Sequence, residues 1–290
     1  MRPLERKDAV RTTIHDIQAM KARGERIPVL TAYDFPSAVI AERAGVPVLL
    51  VGDTLGEVIQ GHATTLPVTL DDMIRHAASV VRRTQKALVV VDLPFLSYTT
   101  VDDAVRASKR LFQEANVHAV KLEGGGAVVE IVRRLVELGV PVMGHLGYTP
   151  QSTHQLGVHA QGKKADAARR MIDDALALQA AGAFAIVLEL VPKLLAQAIT
   201  TRLTIPTIGI GAGAGCDGQV QVWHDLLGLL DGKTPRHAKR YAEIGTAIEK
   251  ALSAYCQDVR NGVFPTDAQS VSMDESELAA ALAPNPDGHA

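Results

Sequence analysis

Four short apolar runs in this chain each end in a carboxylate. Val48-Leu49-Leu50-Val51-Gly52 ends in Asp53, and Leu88-Val89-Val90-Val91 ends in Asp92. His118-Ala119-Val120-Lys121-Leu122 ends in Glu123, and Ala185-Ile186-Val187-Leu188 ends in Glu189. Anions gathered without a cation repel one another and are driven towards protonation. Oxygens from Asp53, Asp92 and Glu123, with water, form a hard ligand shell suited to Mg²⁺. His145 follows a fifth run, Pro141-Val142-Met143-Gly144. It either joins the ion, which would favour zinc or cobalt, contacts substrate, or supports the site as a buried hydrogen-bonded histidine. Glu189 comes from a strand further along and after an apolar stretch, a setting that suits a general base working near neutral pH. Lys121 lies two residues before Glu123, hence on the same side of an extended segment and one layer deeper. A buried ammonium there requires an anion, either Glu123 or a bound substrate. For any one acid alone, the competing use is to cap the helix that follows its strand.

For these side chains to meet, the runs must be parallel strands with their C-terminal ends at one face. Continuous apolar runs are the mark of strands covered on both sides, and eight of them alternate with helical stretches. The fold class expected is therefore α/β, a (β/α)8 TIM barrel with an N-terminal capping helix, and an open doubly wound sheet is the second choice. The acids sit on strands two, three, four and six, and barrel closure is what brings such distant strands round one mouth. Thr13 and Asp16 have the spacing of a helix start, and that helix ends near Arg23-Gly24 and precedes strand one, where it can seal the barrel bottom. Asp34 lies at the upper end of strand one before Pro36, where a helix cap and a site role are both open. The glycine run Gly209 to Gly215 looks like a phosphate loop, but no helix follows it, so a tight turn or close backbone approach is the simpler use. Strand eight is expected at Gln219 to His224 and the last barrel helix from about Ala238 to Val259. The domain expected is 1–265, and 266–290 is a tail, mostly mobile, with one helical patch at Glu275 to Leu282.

Composition limits the partners. The chain has 290 residues, 47% hydrophobic and 21% charged, with formal net charge -2, so nothing argues for nucleic acid and small-molecule substrates are expected. Cys216 and Cys256 stand in no metal or redox spacing and are expected as free thiols. The start of the chain is charged without an apolar run, and no stretch approaches the ~20 apolar residues of a membrane span, so the cytoplasm is the expected compartment.

Several motifs in unbroken order resemble one family. They are Val51-Gly52-Asp53-Thr54-Leu55-Gly56, Gln60-Gly61-His62, Asp92-Leu93-Pro94-Phe95, Val120-Lys121-Leu122-Glu123-Gly124-Gly125, Gly144-His145-Leu146-Gly147-Tyr148-Thr149-Pro150-Gln151-Ser152 and Ile208-Gly209-Ile210-Gly211-Ala212-Gly213. Over roughly Thr12 to Pro265 the chain is similar to the ketopantoate hydroxymethyltransferases. That resemblance implies a Mg²⁺ enzyme that transfers a hydroxymethyl group from 5,10-methylenetetrahydrofolate to 3-methyl-2-oxobutanoate in pantothenate synthesis, assembled as a homodecamer. It implies Asp53, Asp92 and Glu123 as metal ligands and Glu189 as proton acceptor. Lys121 and Thr54 fall on positions that contact the keto acid, with Thr54 standing where serine is expected. Asp53, Asp92 and His145 are counted with the substrate contacts. The alternative is another Mg²⁺-dependent 2-oxo acid lyase or decarboxylase of the isocitrate lyase and phosphoenolpyruvate mutase kind, separable by folate dependence. A noncatalytic barrel is disfavoured because all four strand-end acids are present.

Overall fold

The computed structural model describes residues 10–230, 232 and 235–284. Eight strands are present: β1 Ile27–Thr31, β2 Val48–Val51, β3 Leu88–Asp92, β4 Ala119–Glu123, β5 Val142–Gly147, β6 Ala185–Glu189, β7 Thr207–Ile210 and β8 Gly218–Gln221. They pair in parallel in sequence order, and β1 closes on β8 to complete a barrel. Around it run α1 Ile14–Ala22, α2 Phe35–Arg43, α3 Leu55–Val58, α4 Leu70–Val81, α5 Val101–Ala115, α6 Val128–Glu137, α7 Thr153–Leu156, α8 Ala165–Ala180, α9 Lys193–Arg202 and α10 Trp223–Leu227. The (β/α)8 barrel expected from the strand-end acids is the fold observed.

The period of two along each strand divides the core. Val29, Val48, Leu50, Val90, Ala119, Met143, Val187, Ile208 and Val220 pack in the barrel interior. Their chain neighbours Leu30, Leu49, Val89, Val120, Val142, Ile186 and Leu188 pack outward with the helices. Asp92 shares the parity of Val90, Lys121 and Glu123 that of Ala119, His145 that of Met143, and Glu189 that of Val187. These side chains are therefore the upper layers of the same interior column whose lower layers are aliphatic.

The opposite end is sealed by α1. Its Thr13–Asp16 capping box satisfies the first turn, and Ile17 joins the inner cluster with Ile14 and Met20 beside it. Lys21 fixes the other end, donating to the Thr200 and Ile205 carbonyls at 2.9 and 3.0 Å and pairing with Asp217 at 3.0 Å.

Two departures from the sequence reading have local causes. β8 ends at Gln221, because the Trp223 amide donates to Thr31 Oγ1 at 2.9 Å and turns the chain into α10. The last long helix, α11, spans Ile244–Arg260, starting later than expected. Before it, the Tyr241 amide bonds to the Leu226 carbonyl at 2.8 Å and the Lys239 amide to Gln221 Oε1 at 3.3 Å, holding that segment along the end of the barrel. The chain divides into two compact units, one up to Ala242 and one from Glu243 onward. The second unit carries α11, which has no buried residue, and α12, Glu275–Leu282, the helical patch expected there. The expectations placed on the first nine residues and on 285–290 lie outside the described residues. No helix of the described residues is long and apolar enough to cross a membrane. Both cysteines are free, Cys216 buried and Cys256 exposed.

Between β7 and β8 there is no helix at all. Gly211 takes φ +65°, and a Cβ there would stand 2.8 Å from Leu190 Cδ2 and 2.9 Å from His237 Cβ. The glycine run is thus a tightly packed crossover rather than a phosphate cradle.

Candidate active site at the strand ends

Asp53, Asp92, Lys121, Glu123 and His145 are each between 2% and 6% exposed, so every charge among them must be balanced inside the protein. Lys121 Nζ lies 3.0 Å from Asp92 Oδ1 and 3.3 Å from His145 Nδ1. Its ion pair is therefore with Asp92 on the next strand, and not with Glu123, which the sequence left open. His145 stands between two acids, with Nδ1 3.5 Å from Glu123 Oε1 and Nε2 3.3 Å from Glu189 Oε2. Glu189 has the most accessible side chain of that pair, 14% against 3% for His145, which suits a group that must reach a substrate.

None of the four strand-end acids caps the following helix. The cap positions of α3, α5, α6 and α9 are Thr54, Thr100, Ala127 and Pro192. Asp34, by contrast, is a cap, accepting the Ser37 amide at 2.8 Å, and is no part of the cluster. His62, His154 and His159 are exposed, as expected of loop residues. Thr54 lines the cavity, and its Oγ1 meets the Tyr33 hydroxyl at 2.8 Å.

Electrostatics follow from this arrangement. Burial first, then the charges of Asp92 and Glu123, raise the Asp53 carboxyl well above the usual range. Burial also raises Asp92, although Lys121 acts against it. For Glu123, burial alone would raise the carboxyl, but His145, Lys121 and the Gln151 amide outweigh it and hold it low. His145 is pulled down by burial and by Lys121, and Glu123 and Glu189 reverse this to about 9. Asp92 Oδ1 and Glu123 Oε1 are buried, and the groups that face them are Lys121 at 3.0 Å and His145 at 3.5 Å. Among the described residues, no three His, Cys, Asp or Glu side chains close on a point as a complete metal cage.

Two side chains of the site carried no role in the sequence reading. Gln151 donates through Nε2 to Asp53 Oδ2 at 2.8 Å and to the Leu93 carbonyl at 2.9 Å, and through its amide to Glu123 Oε2 at 3.0 Å. Tyr98 donates to Gln151 Oε1 at 2.6 Å. Gln151 follows Pro150 in the short 3₁₀ turn beyond β5. A buried amide at such a turn has no spacing signature, and only its place just after a strand end pointed to it.

A sequence model of the family described as ketopantoate hydroxymethyltransferase matches residues 11–267. The chain belongs to that family. A 3-methyl-2-oxobutanoate hydroxymethyltransferase of Gluconacetobacter diazotrophicus is 68% identical, the match covering 94% of this chain and 99% of that protein. One from Chloroflexus aurantiacus is 62% identical, over 94% of this chain and 97% of that protein. Among solved structures, a 2,3-dimethylmalate lyase of the PEP mutase/isocitrate lyase superfamily superposes with TM-score 0.56 at 17% identity, covering 95% of this chain and all of that one. A phosphonopyruvate hydrolase solved with oxalate and Mg²⁺ gives 0.58 at 12% identity, covering 93% and 95%. At such identities the two structures share the barrel fold with this chain. The hydroxymethyltransferase family, rather than the lyases, is where its sequence lies.

Proposed function

We propose that this protein transfers a hydroxymethyl group from 5,10-methylenetetrahydrofolate to 3-methyl-2-oxobutanoate, giving ketopantoate for pantothenate synthesis. The observation that carries the reading is a buried strand-end layer of Asp53, Asp92, Lys121, Glu123 and His145 with the more accessible Glu189 beside it, in a chain of this family. The donor set fits a hard divalent ion, Mg²⁺ before zinc or cobalt. Asp53, Asp92 and Glu123 bring three buried carboxylates to the ends of neighbouring strands, and Mg²⁺ is ordinarily held by one or two carboxylates plus water and substrate rather than by a closed cage. Asp53, Asp92 and Glu123 would hold it. When bound, the ion supplies Lewis acidity to the 2-oxo acid and so lowers the barrier to losing the C3 proton.

Glu189 accepts that proton. Lys121, charged and held by Asp92, offsets negative charge that develops on the keto acid, and Thr54, which lines the cavity, contacts it. His145, between Glu123 and Glu189, fixes the base relative to the acids. Water adds to the methylene carbon of the folate and both of its C–N bonds break, leaving tetrahydrofolate and formaldehyde. The carbon nucleophile forms the new C–C bond to that carbon, and its oxygen takes up a proton to become the hydroxymethyl group. The same proposal places the enzyme in the cytoplasm as a homo-oligomer, with a decamer as the assembly the resemblance implies.

Proton exchange at C3 of 3-methyl-2-oxobutanoate in D₂O, followed by NMR, tests the metal, the substrate and the base together. Exchange that requires Mg²⁺ and collapses in Glu189→Gln by about 10²–10⁴-fold, with keto acid binding nearly intact, is the expected result. Silence with and without folate would move the assignment to the lyase chemistry, and near-normal exchange in Glu189→Gln would remove the base.

A further inference from the structure

Beside the strand-end cavity lies a second one of about 230 Å³, walled by Phe95, Leu96, Tyr98, Thr99, Gln151 and Ser152. The two cavities share Glu123 as a common wall. The outer rim is apolar although it faces solvent, with Phe95 38% and Leu96 64% exposed. The inner wall is polar, formed by Glu123 and by Gln151 bonded to the Tyr98 hydroxyl.

Leu96 is held there against its backbone preference. It takes φ +60° in a turn closed by the Ser97 amide bonding to the Pro94 carbonyl at 3.0 Å. That third turn position is one that glycine ordinarily fills, because a side chain is strained there. A leucine in this place carries a strained backbone and an exposed apolar side chain at once. Neither helps a free surface, whereas both are accounted for if the side chain forms one face of a slot for a flat ring.

We propose that this cavity binds the flat, conjugated head of the one-carbon donor, with Phe95 and Leu96 packing on its faces and the Gln151 and Glu123 side turned to its polar edge. The inference rests on the hydroxymethyl transfer proposed above and adds the place of the second substrate. The volume is below the range of pockets that enclose a whole drug-sized ligand, so it suits a bicyclic head whose tail extends into solvent. Because Glu123 separates the two cavities, a ring seated here stands next to the acid-lined cavity that takes the keto acid. Aromatic rings pack on apolar and aromatic side chains in offset or edge-on fashion, which needs only the two rim residues and no charge.

The test is calorimetric binding of tetrahydrofolate to the full chain loaded with Mg²⁺ and 3-methyl-2-oxobutanoate. Phe95→Ala is expected to weaken tetrahydrofolate at least tenfold while the keto acid dissociation constant stays within twofold. Leu96→Gly removes the side chain but relaxes the turn, so it should raise the melting temperature and still weaken tetrahydrofolate by a similar factor. Tetrahydrofolate bound as tightly by both variants as by the parent chain would overturn the proposal. Equal weakening of both ligands would also overturn it, by showing a structural wall in place of a subsite. If the parent chain performs Mg²⁺-dependent C3 exchange in either case, the hydroxymethyl transfer stands while the subsite fails. If it performs none, the reading beneath both is lost.

Discussion

At the scale of single residues, the site depends on a residue that carries no charge. Gln151 donates to Asp53 through its side-chain Nε2 and to Glu123 through its backbone N–H, and accepts from Tyr98 at Oε1, so one residue ties the two acids together. In the proposed site Gln151 would stand one step from the ion, and groups so placed typically change metal affinity by about 10–100-fold when lost. Gln151→Ala should therefore weaken Mg²⁺ by that factor in calorimetric titration. Folding should be largely kept, because the hydrogen bond from the backbone N–H of residue 151 to Glu123 survives. An unchanged Mg²⁺ affinity would show that Asp53 holds its place unaided. Gly147 is the other single position, one on which Glu189, the proposed base, depends. It takes φ +101°, and a Cβ there would stand 2.1 Å from the Glu189 carbonyl oxygen. Gly147→Ala must move the backbone that carries Glu189, and both the melting temperature and the C3 exchange rate should fall together.

Within single elements, the alternation along the strands made the site readable. Asp92, Lys121, Glu123, His145 and Glu189 share the inward parity of aliphatic residues below them, and a run of apolar residues ending in an acid is enough to show it. What failed was read from runs without that support. Val222-Trp223-His224 has the composition of a strand, yet the Thr31 hydroxyl captures the Trp223 amide and the chain turns into α10. Gln151 was missed because a hydrogen bond between loops leaves no period in the sequence. One strand pairing also predicts a pH response. His118 Nδ1 accepts the Val89 amide at 3.0 Å, joining the start of β4 to β3. Burial, with Arg11 acting in the same sense, lowers His118 from 6.5 to about 4. The folded chain therefore binds this proton less readily than the unfolded one. Its contribution is full above about pH 6.5 and declines as pH falls towards 4. His118→Asn should flatten the fall in melting temperature between pH 7 and 4.5 relative to the parent chain. Parallel curves would mean that His118 binds its proton as readily in the folded chain as in the unfolded one.

For the whole barrel, closure brings acids from β2, β3 and β4 into one buried layer, and their repulsion acts on the fold itself. Asp53 is the clearest case, since burial and the charges of Asp92 and Glu123 raise its carboxyl well above the usual range. A carboxyl raised in the folded state favours folding below its unfolded value, and that advantage is lost as pH rises through the folded value. In the absence of a divalent ion, the barrel must then lose stability as Asp53 ionises. A cation held by Asp53, Asp92 and Glu123, as proposed, would remove the repulsion, and because it would bind only the ionised form its effect must grow with pH. At a concentration a hundred times its dissociation constant, an ion that binds the folded state alone adds about 2.7 kcal/mol. Melting curves with EDTA or with Mg²⁺ should therefore separate as pH is raised, with the Mg²⁺ curve the higher. In Asp53→Asn the EDTA curve should become the more stable of the two EDTA curves at high pH, because one anion is gone, while the gap opened by Mg²⁺ shrinks. A Mg²⁺ increment that is the same at every pH, or unchanged in Asp53→Asn, would mean that the ion binds elsewhere and that the acids are held by Lys121 and His145 alone.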